Sequence, residues 1–118
     1  LYLNIYRESF MNNLIINETK APDYTVLEVD GTVNFYTYGD FEKKIYAAIE
    51  EKDLVLDLSK VTNMSSSGLG VLMSANTDGE ESWGHKLYIL NPSEVVKTVI
   101  DLTGFSDMFK MIHSLNEL

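Results

Sequence analysis

The chain has no cysteine and only two prolines, and its basic residues are outnumbered by acidic ones, nine to eighteen. Without cysteine there is no disulfide framework, no thiolate nucleophile and no zinc–thiolate site, and a reducing compartment fits. With so few prolines, and no repeat or low-complexity segment, no internal linker is expected. The formal charge of −9 opposes a phosphate backbone and argues against direct nucleic-acid binding. No apolar run approaches the roughly 20 residues that span a bilayer, and no secretory leader is evident.

What remains is the material of one folded domain. The 118 residues are 45% apolar and 11% aromatic, which argues against disorder. A chain of that length buries about two-thirds of its unfolded surface, so it needs neither metal nor disulfide to fold, and no cofactor is expected. Together these features predict a soluble, cytoplasmic, acidic single domain. The apolar and aromatic segment Leu1 to Phe10 precedes Met11, which reads as a native start. Residues 1–10 are therefore expected to be non-native or an extension, and residues 11–118 the domain.

The elements alternate. Leu14 to Asn17 and Tyr24 to Val29 read as strands around a turn at Pro22 and Asp23, with Gly31 ending the second. Tyr38, Phe41, Ile45 and Ala48 recur at helical spacing, predicting a helix from Tyr38 to Glu51. Leu54 to Leu58 is a short, nearly continuous apolar run, the mark of a strand covered on both faces. Leu69, Leu72 and Met73 open a second helical stripe, in which Gly79 costs about 1 kcal/mol relative to alanine. Leu87 to Leu90 is a strand. Pro92 then suits a first helical turn, with Val95, Val96, Val99 and Leu102 forming its apolar stripe and Gly104 its stop. Met108 to Ile112 fits a last strand or the start of a final helix. This order calls for an α/β domain with largely parallel pairing.

The stretch that carries chemistry is Leu54 to Gly70, LVLDLSKVTNMSSSGLG. A buried strand leaves into a turn of Ser65, Ser66, Ser67, Gly68, Leu69 and Gly70 that opens a helix. Free backbone N–H groups and the positive dipole end favour negative charge there. A phosphoryl group on one of these serines would add about −1.5 to −2 charges at pH 7. The same serines suit simple N-capping. The glycines match no nucleotide-binding spacing and suit close helix–sheet approach. Asp57 reads either as a loop-organising or partner residue, or as a cap for the turn after its strand.

At these residues the sequence resembles the STAS domain family, and within it the small bacterial anti-sigma factor antagonists. Leu54 to Ser59 matches the family strand and Ser66, Ser67, Gly68, Leu69 and Gly70 its loop. Lys86 to Leu90, Asn91-Pro92 and Leu102-Thr103-Gly104-Phe105 follow in family order. The resemblance implies a mixed sheet of four or five strands with helices mainly on one face. It also implies partner switching. An ATPase-type serine kinase that doubles as an anti-sigma factor binds the unphosphorylated antagonist and then phosphorylates it, and a phosphatase resets the cycle. By motif position Ser66 is the acceptor. The protein is then a phosphorylated binding module with no catalytic residue, and a homodimer is compatible with it.

Two departures stand out. Ser65 occupies the position where the family carries aspartate, which makes it a rival acceptor. The following helix reads Asn76, Thr77, Asp78, Gly79, Glu80, Glu81, more acidic than usual, and calls for a basic partner surface. The alternative from another class is a constitutive, unphosphorylated STAS scaffold in a signalling or lipid-transport complex. A serine hydrolase fits poorly: the Gly-x-Ser-x-Gly elbow is missing, and His85 and His113, the only histidines, read as surface or element-end residues. Met108, Phe109, Met111 and Ile112 read as core or edge packing rather than a partner patch, and Trp83 as packing at a helix end rather than a ligand-stacking platform.

Overall fold

The computed structural model describes residues 13–118, so the expectation about residues 1–10 lies outside the described residues. Strands β1 (Leu14–Lys20) and β2 (Tyr24–Val33) form an antiparallel hairpin. Strands β3 (Asp53–Met64), β4 (Leu87–Leu90) and β5 (Lys110–Ile112) add in sequence, each parallel to the one before, giving a five-stranded mixed sheet in the order β1-β2-β3-β4-β5. Helices α1 (Tyr38–Glu51), α2 (Ser66–Asp78) and α3 (Glu94–Thr103) are the three crossovers. Right-handed crossovers that add strands in one direction leave every helix on the same face.

That face holds the core. Leu27, Leu56, Ile89 and Met111 sit side by side on β2 to β5, and the first three are fully buried. Phe41, Ile45 and Ile49 of α1, Leu72 and Ala75 of α2, and Val96 and Ile100 of α3 close over them. Each fully buried aliphatic or aromatic side chain contributes about 1.5–3 kcal/mol by leaving water. Phe109 and Ile112 are buried too, as their reading as core requires. The opposite sheet face carries a smaller cluster, Val55, Leu90 and Ile112, flanked by Tyr24, Val26 and Tyr88. No helix of the described residues is long and apolar enough to cross a membrane.

Four boundaries and one apolar stripe differ from expectation, the first boundary being that of β1, which runs three residues past Asn17 to Lys20. Gly31 does not end β2: it has φ +116, lies against the Asn13 carbonyl where a Cβ would collide, and marks a register irregularity through which β2 continues to Val33. β3 runs six residues past Leu58. There it pairs with β2 alone, so its residues read as polar sequence rather than as a doubly covered strand. Pro92 precedes the helix, because Ser93 is the N-cap, its Oγ accepting from Val96 N at 3.4 Å. The α3 stripe also rotates. Val96 and Ile100 are buried, whereas Leu102, about 140° round the helix, is 82% exposed, and Val95 is exposed as well.

The last turn of α2 widens into a π-turn, Gly79–Trp83, closed by Gly84 at φ 71. Tyr46 of α1 braces it: its hydroxyl donates to Asp78 Oδ2 at 2.7 Å, and its ring meets Trp83 edge-on at 6.2 Å. Burial, reinforced by the Asp78 hydrogen bond, pushes the Tyr46 hydroxyl up to about 12. Gly79 is not a mere weak point. A Cβ there would stand 2.8 Å from Ile49 Cγ1 and 3.1 Å from the His85 carbonyl. Helix propensity alone predicts that Gly79→Ala stabilises by about 1 kcal/mol. The packing predicts the opposite, a loss of about 1–3 kcal/mol from overpacking, and the sign of the shift in a urea denaturation midpoint decides between them.

Candidate functional site: the serine turn at the start of α2

The site is built where β3 outruns its neighbour. β4 stops at Leu90, opposite Asp57. Beyond it the N-cap of α3 takes over: Ser93 N donates to the Leu58 carbonyl at 3.1 Å, and Ser93 Oγ donates to the Val61 carbonyl at 2.7 Å. Opposite β2 the register steps from Glu28–Asp57 to Asp30–Lys60, leaving Leu58 and Ser59 against Val29, a β-bulge. Asp57 serves that bulge, its Oδ1 accepting from Ser59 N at 3.0 Å and from Ser59 Oγ at 2.7 Å. Asp57 was expected near the end of its strand, organising or capping the turn that follows. It lies seven residues before that end and organises the strand itself.

β3 ends at Met64 and the backbone turns at once. Ser65 N donates to the Val33 carbonyl of β2 at 2.8 Å, so the turn is anchored to the neighbouring strand end. Ser65 is extended (φ −80, ψ 171), and its Oγ accepts from Gly68 N at 3.3 Å as the N-cap of α2. Serine and aspartate are near-equivalent N-caps. Ser65 in the family's aspartate position therefore keeps the cap and drops a charge. Ser66, the first helical residue, is exposed, and Ser67 is half-buried. At that first turn the backbone N–H groups have no intrahelical acceptor, and the dipole is positive.

The six residues divide by face. Gly68 is buried and Leu69 packs against the core. A Cβ on Gly68 would stand 2.5 Å from both Met64 Sδ and Val33 Cγ1. Gly70 is exposed, with nothing within 4 Å of its Cβ position, so close approach accounts for Gly68 and not for Gly70. Ser66 and Gly70, four residues apart, share the outward face.

The histidines stand far from this turn. His85 lies beyond the other end of α2, a 13-residue helix about 20 Å long, where its Nδ1 lies 2.6 Å from the Ile49 carbonyl. His113 follows β5, whose Ile112 aligns through Leu90 with Asp57, while β3 runs about 23 Å further to reach the serines. Neither histidine is placed to act as a base on a serine of this turn.

The structure adds two residues that the sequence reading passed over. Phe35 and Tyr36 follow β2 and are 71% and 82% exposed. They fit neither strand alternation nor the α1 stripe, and a pair of aromatics in a loop was the available signal. Their loop is pinned by hydrogen bonds. Asn34 Oδ1 accepts from Tyr36 N at 2.8 Å and from Thr37 N at 3.1 Å, and the hydroxyl of buried Thr37 donates to the Thr32 carbonyl at 2.9 Å.

The two glycines give opposite predictions. Gly68→Ala loses about 1–3 kcal/mol through the forced shift of Val33 and Met64. Gly70→Ala gains about 0.5–1 kcal/mol, because an open helical position only profits from the stiffer unfolded chain. Ser65→Ala costs about 1 kcal/mol and Ser65→Asp nearly nothing. Denaturation midpoints of the four variants check all of these.

Comparison with known proteins agrees with this geometry. The STAS domain family model matches residues 16–118. An anti-sigma-B factor antagonist from Staphylococcus epidermidis is 29% identical over 98 residues, covering 81% of this chain and 90% of that protein. Among solved structures, an anti-sigma factor antagonist from Mycobacterium paratuberculosis superposes with a TM-score of 0.76 at 22% identity, covering 88% of this chain and 89% of that one. The Bacillus cell fate determinant SpoIIAA in its phosphorylated form superposes with a TM-score of 0.65 at 17% identity, over 86% of this chain and 95% of that one. With the five-stranded mixed sheet and the serine turn at the head of α2, the chain belongs to the STAS domain family.

Proposed function

We propose that this chain is a cytoplasmic anti-sigma factor antagonist that works by partner switching, with Ser66 as its phosphoryl acceptor and no catalytic activity of its own. The observation that carries the reading is the division of labour among the serines: the Ser65 hydroxyl is engaged as the cap, while Ser66 is exposed at the first helical position. The name of the Staphylococcus epidermidis relative and the phosphorylated form of SpoIIAA, a fold neighbour, support it. The partners are an anti-sigma factor that is also an ATPase-type serine kinase, and a phosphatase that reverses the modification.

In the forward step Ser66 Oγ attacks the γ-phosphorus of kinase-bound ATP. The bond from that phosphorus to the β–γ bridging oxygen breaks, ADP leaves and the hydroxyl proton passes to the kinase. The new phosphate sits at a helix N-terminus, where its charge is favourable, so α2 does not melt. The cost falls on the docked partner, which now meets about two extra negative charges across a desolvated contact. Switching is then a change of affinity with the fold preserved.

The test is intact-mass spectrometry with site mapping after incubation with ATP in extract of the host. Wild type gains one phosphoryl group on Ser66 and Ser66→Ala gains none. Modification of Ser66→Ala at Ser65 would move the acceptor by one residue. No modification, in an extract that phosphorylates a control substrate, would overturn the reading in favour of a constitutive scaffold. For the purified kinase, Ser66→Asp binds about tenfold or more weakly than Ser66→Ala, a gap of at least ~1.4 kcal/mol.

A further inference from the structure

The loop between β2 and α1, which carries the two aromatics, leaves the same strand end that anchors the serine turn, and this bounds their separation. Val33 accepts the Ser65 N–H at 2.8 Å, Phe35 lies two residues beyond Val33, and Ser66 lies one beyond Ser65. With about 3.8 Å between successive Cα atoms and roughly 5–6 Å between Cα atoms across the hydrogen bond, the Phe35 and Ser66 Cα atoms are within roughly 17 Å of each other. A standard protein interface buries about 800 Å² on each partner, an area roughly 30 Å across. A partner of that footprint, seated between them, can touch both Ser66 and the aromatic pair.

The pair has the physical marks of an interface anchor. Hot spots are enriched in Trp, Tyr and Arg, and aromatic anchors contribute most when little order must be imposed on binding. Here the order already exists. The Asn34 and Thr37 hydrogen bonds fix the backbone. The Phe35 ring meets Tyr36 edge-on at 5.8 Å and leans on Tyr38 at 6.0 Å, and Tyr38 itself packs on the core. Nothing in the described fold covers rings that are 71% and 82% exposed.

Charge selects the occupant. A second copy of this chain brings another −9 to the contact and is repelled, whereas a protein with a positively charged rim is attracted. We infer that Phe35 and Tyr36 anchor the ATP-dependent kinase that phosphorylates Ser66, inserting into an apolar pocket of that partner whose basic rim meets acidic surface away from the uncharged serine turn. This rests on the function proposed above and deepens it. Ser66 sets whether the partner stays, and the aromatic pair supplies the affinity that the phosphate must overcome.

The probe is the kinase that phosphorylates wild type in host extract, purified, with the chain as its protein substrate. For the Phe35→Ala/Tyr36→Ala double variant, KM for the chain rises about thirtyfold or more while kcat holds within about twofold, the pattern of lost uniform binding. Tyr36→Phe, which keeps the ring, stays near wild type. The denaturation midpoint of the double variant stays close to that of wild type, because the substituted rings are solvent-exposed. An unchanged KM with Ser66 still phosphorylated overturns the anchor and leaves the proposed function standing. A wild type that no host kinase phosphorylates removes that function, and the anchor with it. A wild-type dimer in sedimentation velocity that the double variant dissolves would assign the patch to self-association and overturn the inference.

Discussion

The architecture of the site depends on one strand-end junction. The Val33 carbonyl receives the Ser65 N–H, and the Val33 side chain lies where a Cβ on Gly68 would have to be. The hydrogen bond fixes where β3 stops, and the absent Cβ lets α2 start immediately, in contact with the neighbouring strand. Ser66 faces outward because Gly68 faces inward, two residues on. Phe35 stands within roughly 17 Å of Ser66 because Val33, the last residue of β2, also receives the Ser65 N–H at the β3 exit. A longer turn, or a bulkier residue at position 68, would separate features that a partner must meet together.

The same logic repeats at the far end of α2. Gly79 lies eleven residues after Gly68, just over three full turns, so both occupy one face of the helix. One closes on Val33 and Met64, the other on Ile49 and the His85 carbonyl. The helix is thus pressed onto its support by bare backbone at both ends, and the Tyr46–Asp78 hydrogen bond ties it to α1 between them. A platform held in this way does not readily shift when one exposed residue at its N-terminus is modified. That favours a switch read through surface charge over one read through refolding.

Much of this was legible in the sequence, for physical reasons that differ by element. α1 and β4 are found at their predicted limits because each buries a single well-defined pattern, a helical stripe in one and a short, almost fully buried run in the other. The far half of β3 was hidden because it has one neighbour strand rather than two, and its sequence reads as polar. The α3 stripe was misdrawn because Val95 and Leu102 fit helical spacing while the sheet accepts only the line through Val96 and Ile100. The serine turn was legible as a motif, but its division of labour was not. Which serine caps and which is exposed depends on where β3 ends, and that is set by a hydrogen bond to a residue 32 positions earlier. Phe35 and Tyr36 escaped notice for a similar reason: loop aromatics acquire meaning only from what lies beside them in space.

The serine at position 65 now has a physical account. An aspartate there would cap α2 equally well, but it would place a full negative charge next to the acceptor before any modification. With serine, the segment from Ser65 to Gly70 carries no charge at all, in a chain whose net charge is −9. Under the proposed function, the unmodified turn then offers a partner a neutral, small-residue surface, and the incoming phosphate is the first negative charge at this end of the helix. The two extra charges arrive in either case, but serine sets the resting state at zero rather than at one. The unmodified and modified forms therefore differ in the sign of what they present, neutral against anionic, and not merely in degree. With no carboxylate next to Ser66, resting affinity depends on shape and apolar contact, terms that two exposed aromatics on a hydrogen-bonded loop supply.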